Sequence, residues 1–182
     1  MEQIRGLVFH SRLSFIDTEM NSAQQKTFLN QLSEKNRVLL SDLIFPVNLY
    51  SFSLLAEIDA HLPEAVGQPE DAVFSKMGEQ FAVIQLDRYF FNYINGRNPG
   101  GFLEHGERLY PALWHIGRCE VAAEKKGGTV KITTQEPLHS GYRQFWRAFL
   151  VSGLEICGAK KVKAIEADPS TDPVYSLSFN WQ

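Results

Sequence analysis

Residues 118–133 read RCEVAAEKKGGTVKIT, and residues 142–157 read YRQFWRAFLVSGLEIC. In the first stretch Cys119, Val121 and Ala123 alternate with Arg118, Glu120 and Ala122, and Lys125-Lys126-Gly127-Gly128 supplies a turn. Val130 and Ile132 then alternate with Thr129, Lys131 and Thr133. A period of two on both sides of a glycine turn predicts a β-hairpin. In the second stretch Tyr142, Phe145, Trp146, Phe149, Leu150, Gly153, Leu154 and Cys157 step by three and four, which places them on one helical face. Arg143, Gln144, Arg147 and Glu155 take the other face, and Gly158 is the natural stop. Burying Phe145, Trp146 and Phe149 contributes on the order of 1.5–3 kcal/mol each, so this helix is expected to anchor its layer. Downstream, Lys161 to Ala167 reads as a mixed strand and Asp168 to Pro173 as a turn-rich loop. Tyr175, Leu177, Phe179 and Trp181 alternate with Ser176, Ser178 and Asn180, the strongest strand signal in the chain. The order is β-β-α-β-β, which predicts an antiparallel four-stranded sheet.

Toward the N-terminus the pattern changes to helices. Ile4 to Phe9 reads as an edge strand or extended lead-in; Ser22 and Ser33 are candidate caps of two short helices. Leu54, Leu55, Ile58 and Leu62 recur at helical spacing up to Pro63. A long helix is expected over roughly Glu70 to Ile94, with Phe74, Met77 and Phe81 as a one-sided stripe and a second half buried on most sides. Asp87 and Arg88 in that half must pair or reach solvent. A loop over Asn95–Gly101 follows, then a helix carrying Phe102 to Trp114 that Pro111 kinks or breaks. The expected architecture is therefore α+β: a helical part, 1–116, packed on the sheet of 117–182, in a single domain spanning 1–182.

A length of 182 residues with 44% hydrophobic and 21% charged residues suits such a domain. The net charge of −3 argues against a nucleic-acid partner, whose phosphates demand a cationic field. No apolar run approaches the roughly 20 residues of a membrane span, and the first residues lack a signal-peptide pattern, so the expected location is cytoplasmic. Cys119 and Cys157 form no Cys-x-x-Cys pair and both fall on apolar faces, as buried thiols do.

Catalytic and cofactor signatures are missing. Gly96 and Gly101 have phosphate-loop spacing, but Phe102 and Leu103 stand where Lys and Ser or Thr are required. The five histidines, His10, His61, His105, His115 and His139, include no His-x-x-x-His pair, so neither a metal nor any other cofactor is called for. His105 and His115, near Glu104 and Glu107, are the candidates for acid–base or haem-ligand work, against surface or capping roles. An enzyme is the less favoured reading. The aromatic set Phe81, Tyr89, Tyr93, Phe102, Tyr110, Trp114, Phe145, Trp146 and Phe149 either closes a core or lines a pocket for a hydrophobic small molecule or lipid.

Arg5-Gly6-Leu7-Val8-Phe9, Leu54-Leu55-Ala56-Glu57-Ile58-Asp59, Met77-Gly78, Gly117-Arg118-Cys119-Glu120-Val121 and Phe179-Asn180-Trp181 resemble a bacterial domain family of unknown function, abundant in myxobacteria. That family is similar in outline to 4-vinyl reductase-type sensor domains, haem-nitric oxide-binding domains and TRAPP vesicle-tethering subunits. The resemblance implies an α+β ligand-binding fold with an internal cavity, often a homodimer, and a sensory or regulatory, non-enzymatic role. The alternative is an interaction or scaffold subunit with no pocket. Two departures narrow it: the Tyr-x-Ser-x-Arg string of haem-binding members is absent, and Asp168, Asp172 and Tyr175 stand where zinc-containing relatives carry cysteines.

Overall fold

The computed structural model describes residues 2–167 and 173–182. The chain forms two compact units, Met1–Val73 with Ala112–Ile116, and Phe74–Pro111 with Gly117–Gln182.

The first unit is built on a small sheet that periodicity did not reveal. β1 (Gln3–Arg5) is its central strand, antiparallel both to β2 (Leu49–Ser51) and to β3 (Trp114–His115). Ile4 sits opposite both Tyr50 and Trp114. Strands of two and three residues are too short to show an alternation. The expected edge strand at Ile4–Phe9 is thus corrected twice: β1 is central, and Leu7–Phe9 open the helix α1 (Gly6–Glu19). A continuous apolar run fits a buried helix as well as a strand, and here Gly6, Leu7, Val8 and Phe9 are all buried in succession.

α1 is locked by a buried ion pair. The Arg12 guanidinium donates from Nε to Asp59 Oδ1 at 2.9 Å and from Nη2 to Asp59 Oδ2 at 2.7 Å, with a third bond from Nη1 to Ser11 Oγ at 3.0 Å. Asp59 lies on α4 (Phe52–Val66), whose Leu55, Ile58 and Leu62 face the interior. Pro63 does not end α4 as expected. The helix runs one turn further and closes at left-handed Gly67, after which the Gln68 N–H returns to the Pro63 carbonyl. Between them, α2 (Ser22–Gln31) is capped by Asn21 rather than Ser22, in a reciprocal capping box with Gln24. α3 (Glu34–Ser41) is capped by Ser33 as expected. Ser33 also donates its N–H and hydroxyl to the Glu57 carboxylate on α4, and buried Asn36 donates to the same carboxylate at 2.8 Å.

In the second unit, β4 (Arg118–Glu124), β5 (Gly127–Thr133), β6 (Lys163–Glu166) and β7 (Val174–Asn180) form a four-stranded antiparallel sheet in the order β4-β5-β7-β6. With α9 (Ser140–Ile156) between the hairpins, this is the β-β-α-β-β arrangement read from the pattern. Val130 and Ile132 are registered with Leu177 and Tyr175, so the buried rows of β5 and β7 coincide. The helix is tied to β6 and β7 by polar contacts. Arg143 pairs with Glu166 at 3.1 Å, Arg147 donates to the Ala164 carbonyl at 3.1 Å, and the Tyr175 hydroxyl donates to the Arg143 carbonyl at 2.9 Å. Burial pushes the Tyr175 phenol far above its usual range, first by desolvation and then by the Glu166 charge.

The expected single helix over Glu70–Ile94 is two. α5 (Glu70–Tyr89) stops, Phe90 leaves helical geometry, and α6 (Phe91–Ile94) follows. Nor is its second half wrapped in protein, because Val83, Ile84, Tyr89 and Phe91 are exposed while Asp87 and Arg88 reach solvent. α7 (Pro99–Glu104) and α8 (Gly106–Leu113) divide at His105, upstream of Pro111, which α8 carries in its interior. Asp168 and Asp172 lie outside the described residues.

Candidate functional site

The second unit contains an aromatic layer assembled from α5, α7, α8 and α9. The step of three and four on α9 turns Phe145, Trp146 and Phe149 inward, and the same step on α5 presents Phe74, Met77 and Phe81. Phe81 contacts Phe145 at 5.4 Å and Phe149 at 5.5 Å between ring centroids. Trp146 meets Phe149 edge-on at 5.4 Å and stacks on Tyr110 of α8 at 5.1 Å. These offset and edge-to-face geometries are those that aromatic quadrupoles favour.

Three glycines let the helices close on these rings. A Cβ at Gly153 would lie 2.1 Å from the Phe102 ring, one at Gly141 2.4 Å from Phe74, and one at Gly78 2.3 Å from the Phe145 carbonyl oxygen. The contacts rise together along both chains, from 74 against 141 to 78 and 81 against 145 and 149, so α5 and α9 run in the same direction. Their interior is ring against glycine and ring against ring.

Of the nine aromatic candidates, Phe81, Tyr110, Phe145, Trp146 and Phe149 form one connected group, and Phe102 joins the layer at Gly153. Tyr93 is half-buried and lies against the His105 ring at 4.7 Å, while Tyr89 is exposed. Trp114 is buried in the first unit, on β3.

Sequence reasoning missed Gln85. It falls one turn beyond Phe81 on α5, is 7% exposed, and its Oε1 accepts no hydrogen bond among the described residues. A polar residue on an otherwise apolar helical stripe was the available signal. A buried acceptor left open is uncommon in folded proteins and is available to a donor that the chain itself does not supply.

The histidines are not gathered. None of the five is buried. His139 caps α9 by accepting from the Gly141 N–H at 3.2 Å, His10 bonds the Ile44 carbonyl at 2.7 Å, and His115 is exposed on β3. Glu107, the carboxylate considered beside His105, instead accepts the Val121 N–H of β4 at 2.9 Å. Among the described residues no group of three His, Cys, Asp or Glu could hold a metal ion. The Gly96–Gly101 loop joins two helices, α6 and α7, rather than leaving a strand. The thiols are quenched by their surroundings: burial pushes half-buried Cys119 up to about 12, with Glu107 and Glu120 adding to the shift, and buried Cys157 up to about 11. No helix among the described residues is long and apolar enough to cross a membrane.

No family model matches the chain, and no curated protein does. Solved structures do. An Fe(II) unliganded H-NOX protein from K. algicida superposes with a TM-score of 0.76 at 14% identity, covering 98% of this chain and 97% of that one. Cs H-NOX carrying an unnatural amino acid gives 0.73 at 12% identity, with 98% and 97% covered. An oxygen-binding H-NOX domain related to soluble guanylate cyclases, in its oxygen complex, gives 0.65 at 11% identity, with 98% and 95% covered. At these identities the likeness is one of fold, and it extends from end to end: the chain has the H-NOX fold.

Proposed function

We propose that this chain is a non-enzymatic sensory or regulatory domain that binds an apolar small molecule on the aromatic layer of its second unit and does so without haem. The observation that carries the reading is the end-to-end fold likeness to H-NOX proteins, one of them described as oxygen-binding. The connected rings of Phe81, Tyr110, Phe145, Trp146 and Phe149 supply the apolar wall, and the open Gln85 acceptor supplies a place for one ligand donor.

Haem does not fit these residues. A tetrapyrrole needs a flat slot, an axial ligand and cations for its propionates. In the second unit the rings meet one another tilted and edge-on, which makes a lining of angled rings rather than two flat walls. The half-buried His105 ring is already packed on Tyr93 at 4.7 Å, and the buried guanidinium, Arg12, is committed to Asp59. The ligand is instead an apolar molecule with a hydrogen-bond donor, seated by small movements of the rings.

Native mass spectrometry of protein purified without denaturation tests this. A small-molecule adduct is expected, removable by organic extraction and retained less by Gln85→Leu. Protein that is free of adduct and binds no apolar probe would overturn the ligand reading. Titration with hemin is expected to give no stoichiometric Soret shift, and a saturable one-to-one shift would overturn the haem-free part alone. A second reading, an interaction subunit acting through its surface, is favoured by the exposed apolar residues between Val38 and Leu49.

A further inference from the structure

The first unit carries an apolar surface that nothing among the described residues covers. Val38, Leu43, Phe45, Val47 and Leu49 fall within twelve residues, and all are exposed, Leu43 at 74% and Val47 at 71%. Concentrations of this kind mark association sites rather than the scattered apolar residues of an ordinary surface. Beside them, Glu34, Lys35, Val38, Leu39, Asp42 and Leu54 line an open groove of about 510 Å³ along α3.

The charges along this helix identify the occupant. Lys35 and Val38 stand at i and i+3 on α3, and Asp42, the residue that caps its C-terminus, follows at i+7 at the end of the same stripe, with Leu39 alongside. Neither Lys35 nor Asp42 has an ion-pair partner among the described residues. Opposite charges stand at the two ends of the stripe, roughly 10 Å apart by helical rise, with the apolar pair between them. A two-fold axis passing between Val38 and Leu39 brings Val38 against the Leu39 of a second copy. The same axis brings each Lys35 to the other copy's Asp42, forming two identical ion pairs. A partner of single-signed charge would satisfy only one end.

We infer that α3 and the segment that follows it, through Leu49, form a self-complementary face on which a second copy of this chain docks, antiparallel and isologous. Leu43, Phe45, Val47 and Leu49 extend the apolar contact beyond the helix, and the Lys35–Asp42 pairs set its register. Rim charges of this sort choose register and partner more than they add affinity.

Sedimentation velocity on the whole chain, over about 1 to 200 μM, reads the result. A reversible dimer is expected. Lys35→Asp and Asp42→Lys should each weaken it about tenfold, and the double variant Lys35→Asp/Asp42→Lys should recover most of that loss, since the swap restores opposite charges across the axis. Val38→Glu should give a monomer. Each of these residues is exposed except for contacts along α3, and unchanged circular dichroism and thermal midpoint would establish that the variants fold. A wild-type chain that stays monomeric at the highest concentration would overturn the inference. So would a dimer indifferent to Val38→Glu, or single-variant losses that the double variant does not rescue. None of these outcomes depends on ligand binding in the second unit.

Discussion

Gly153 and Gly78 show what a single hydrogen decides. In an exposed helix, glycine to alanine is favourable by about 1 kcal/mol, because alanine has less backbone entropy to lose. At Gly153 the added methyl would meet the Phe102 ring at 2.1 Å, and at Gly78 the Phe145 carbonyl at 2.3 Å. Gly153→Ala should therefore destabilise by about 1–3 kcal/mol in urea unfolding, and Gly78→Ala by at least as much, because a carbonyl in a neighbouring helix yields less than a ring. Asp59 tests the opposite kind of site. Asp59→Ala leaves the Arg12 guanidinium buried without its carboxylate and should cost about 3–5 kcal/mol, whereas Arg12→Met with Asp59→Leu should recover much of it. Urea midpoints of the three proteins measure the difference. At this scale the sequence was more informative about rings than about buried polar atoms. Phe145, Trp146 and Phe149 announce themselves by spacing and Gln85 only by interrupting an apolar stripe, while a lone Arg12 among mixed neighbours looks like a surface residue until its partner is known.

Among the elements, α3 is held to α4 by the Asn36 amide, which donates to the Leu54 carbonyl at 3.0 Å, and by the Glu57 carboxylate. Glu57 accepts from the Ser33 backbone N–H, the Ser33 hydroxyl and Asn36; the backbone bond to Ser33 is the largest influence in lowering its pKa below the ordinary glutamate value. A carboxylate depressed in the folded state contributes stability above its unfolded pKa, and that contribution is lost as pH falls through the folded one. Stability should thus decline below about pH 4.3, and Glu57→Gln should lose less than the wild-type chain between pH 7 and pH 3. Chemical denaturation at the two pH values checks it. The hairpin β4–β5, the helix α9 and the strand β7 were all legible because each is long enough to repeat its period several times. The strands β1, β2 and β3 were not, since two or three residues hold no period and their pairing joins residues about fifty and one hundred and ten positions apart. The break at His105 was hidden for another reason. Pro111 was the visible helix breaker, yet α8 carries it in its interior, and the break falls upstream at His105, where Gly106 starts α8 anew.

For the molecule as a whole, the two cysteines report on opening. With their pKa values raised to about 12 and about 11, Cys119 and Cys157 hold almost no thiolate near neutrality in the folded chain. Labelling by a disulfide reagent at about pH 8 should be slow, and its rate should follow the population of opened protein, rising with urea. Prompt labelling of Cys119 in the native state would contradict the desolvation that raises its thiol. The fold class was readable from pattern, and the end-to-end H-NOX likeness agrees with it. The candidate site was readable only in part. Spacing supplied the rings, but which of them touch depends on how α5 and α9 run together, and that is set by glycines whose role is visible only as contacts.

The bond from the Val121 N–H to Glu107 has a consequence for how this protein behaves in a crowded solution. β4 is an outer strand, and an outer strand offers its unused donors and acceptors to any extended segment that drifts past. Here one such donor is already occupied by a carboxylate, and an incoming segment would have to expel a negative charge before it could begin to add. The opposite border, β6, has its Ala164 carbonyl engaged by Arg147 but presents exposed Ile165. Fibrillar growth of a partly opened chain should therefore start from β6, and a second lysine there, Ile165→Lys, should slow thioflavin-positive aggregation more than any change on β4.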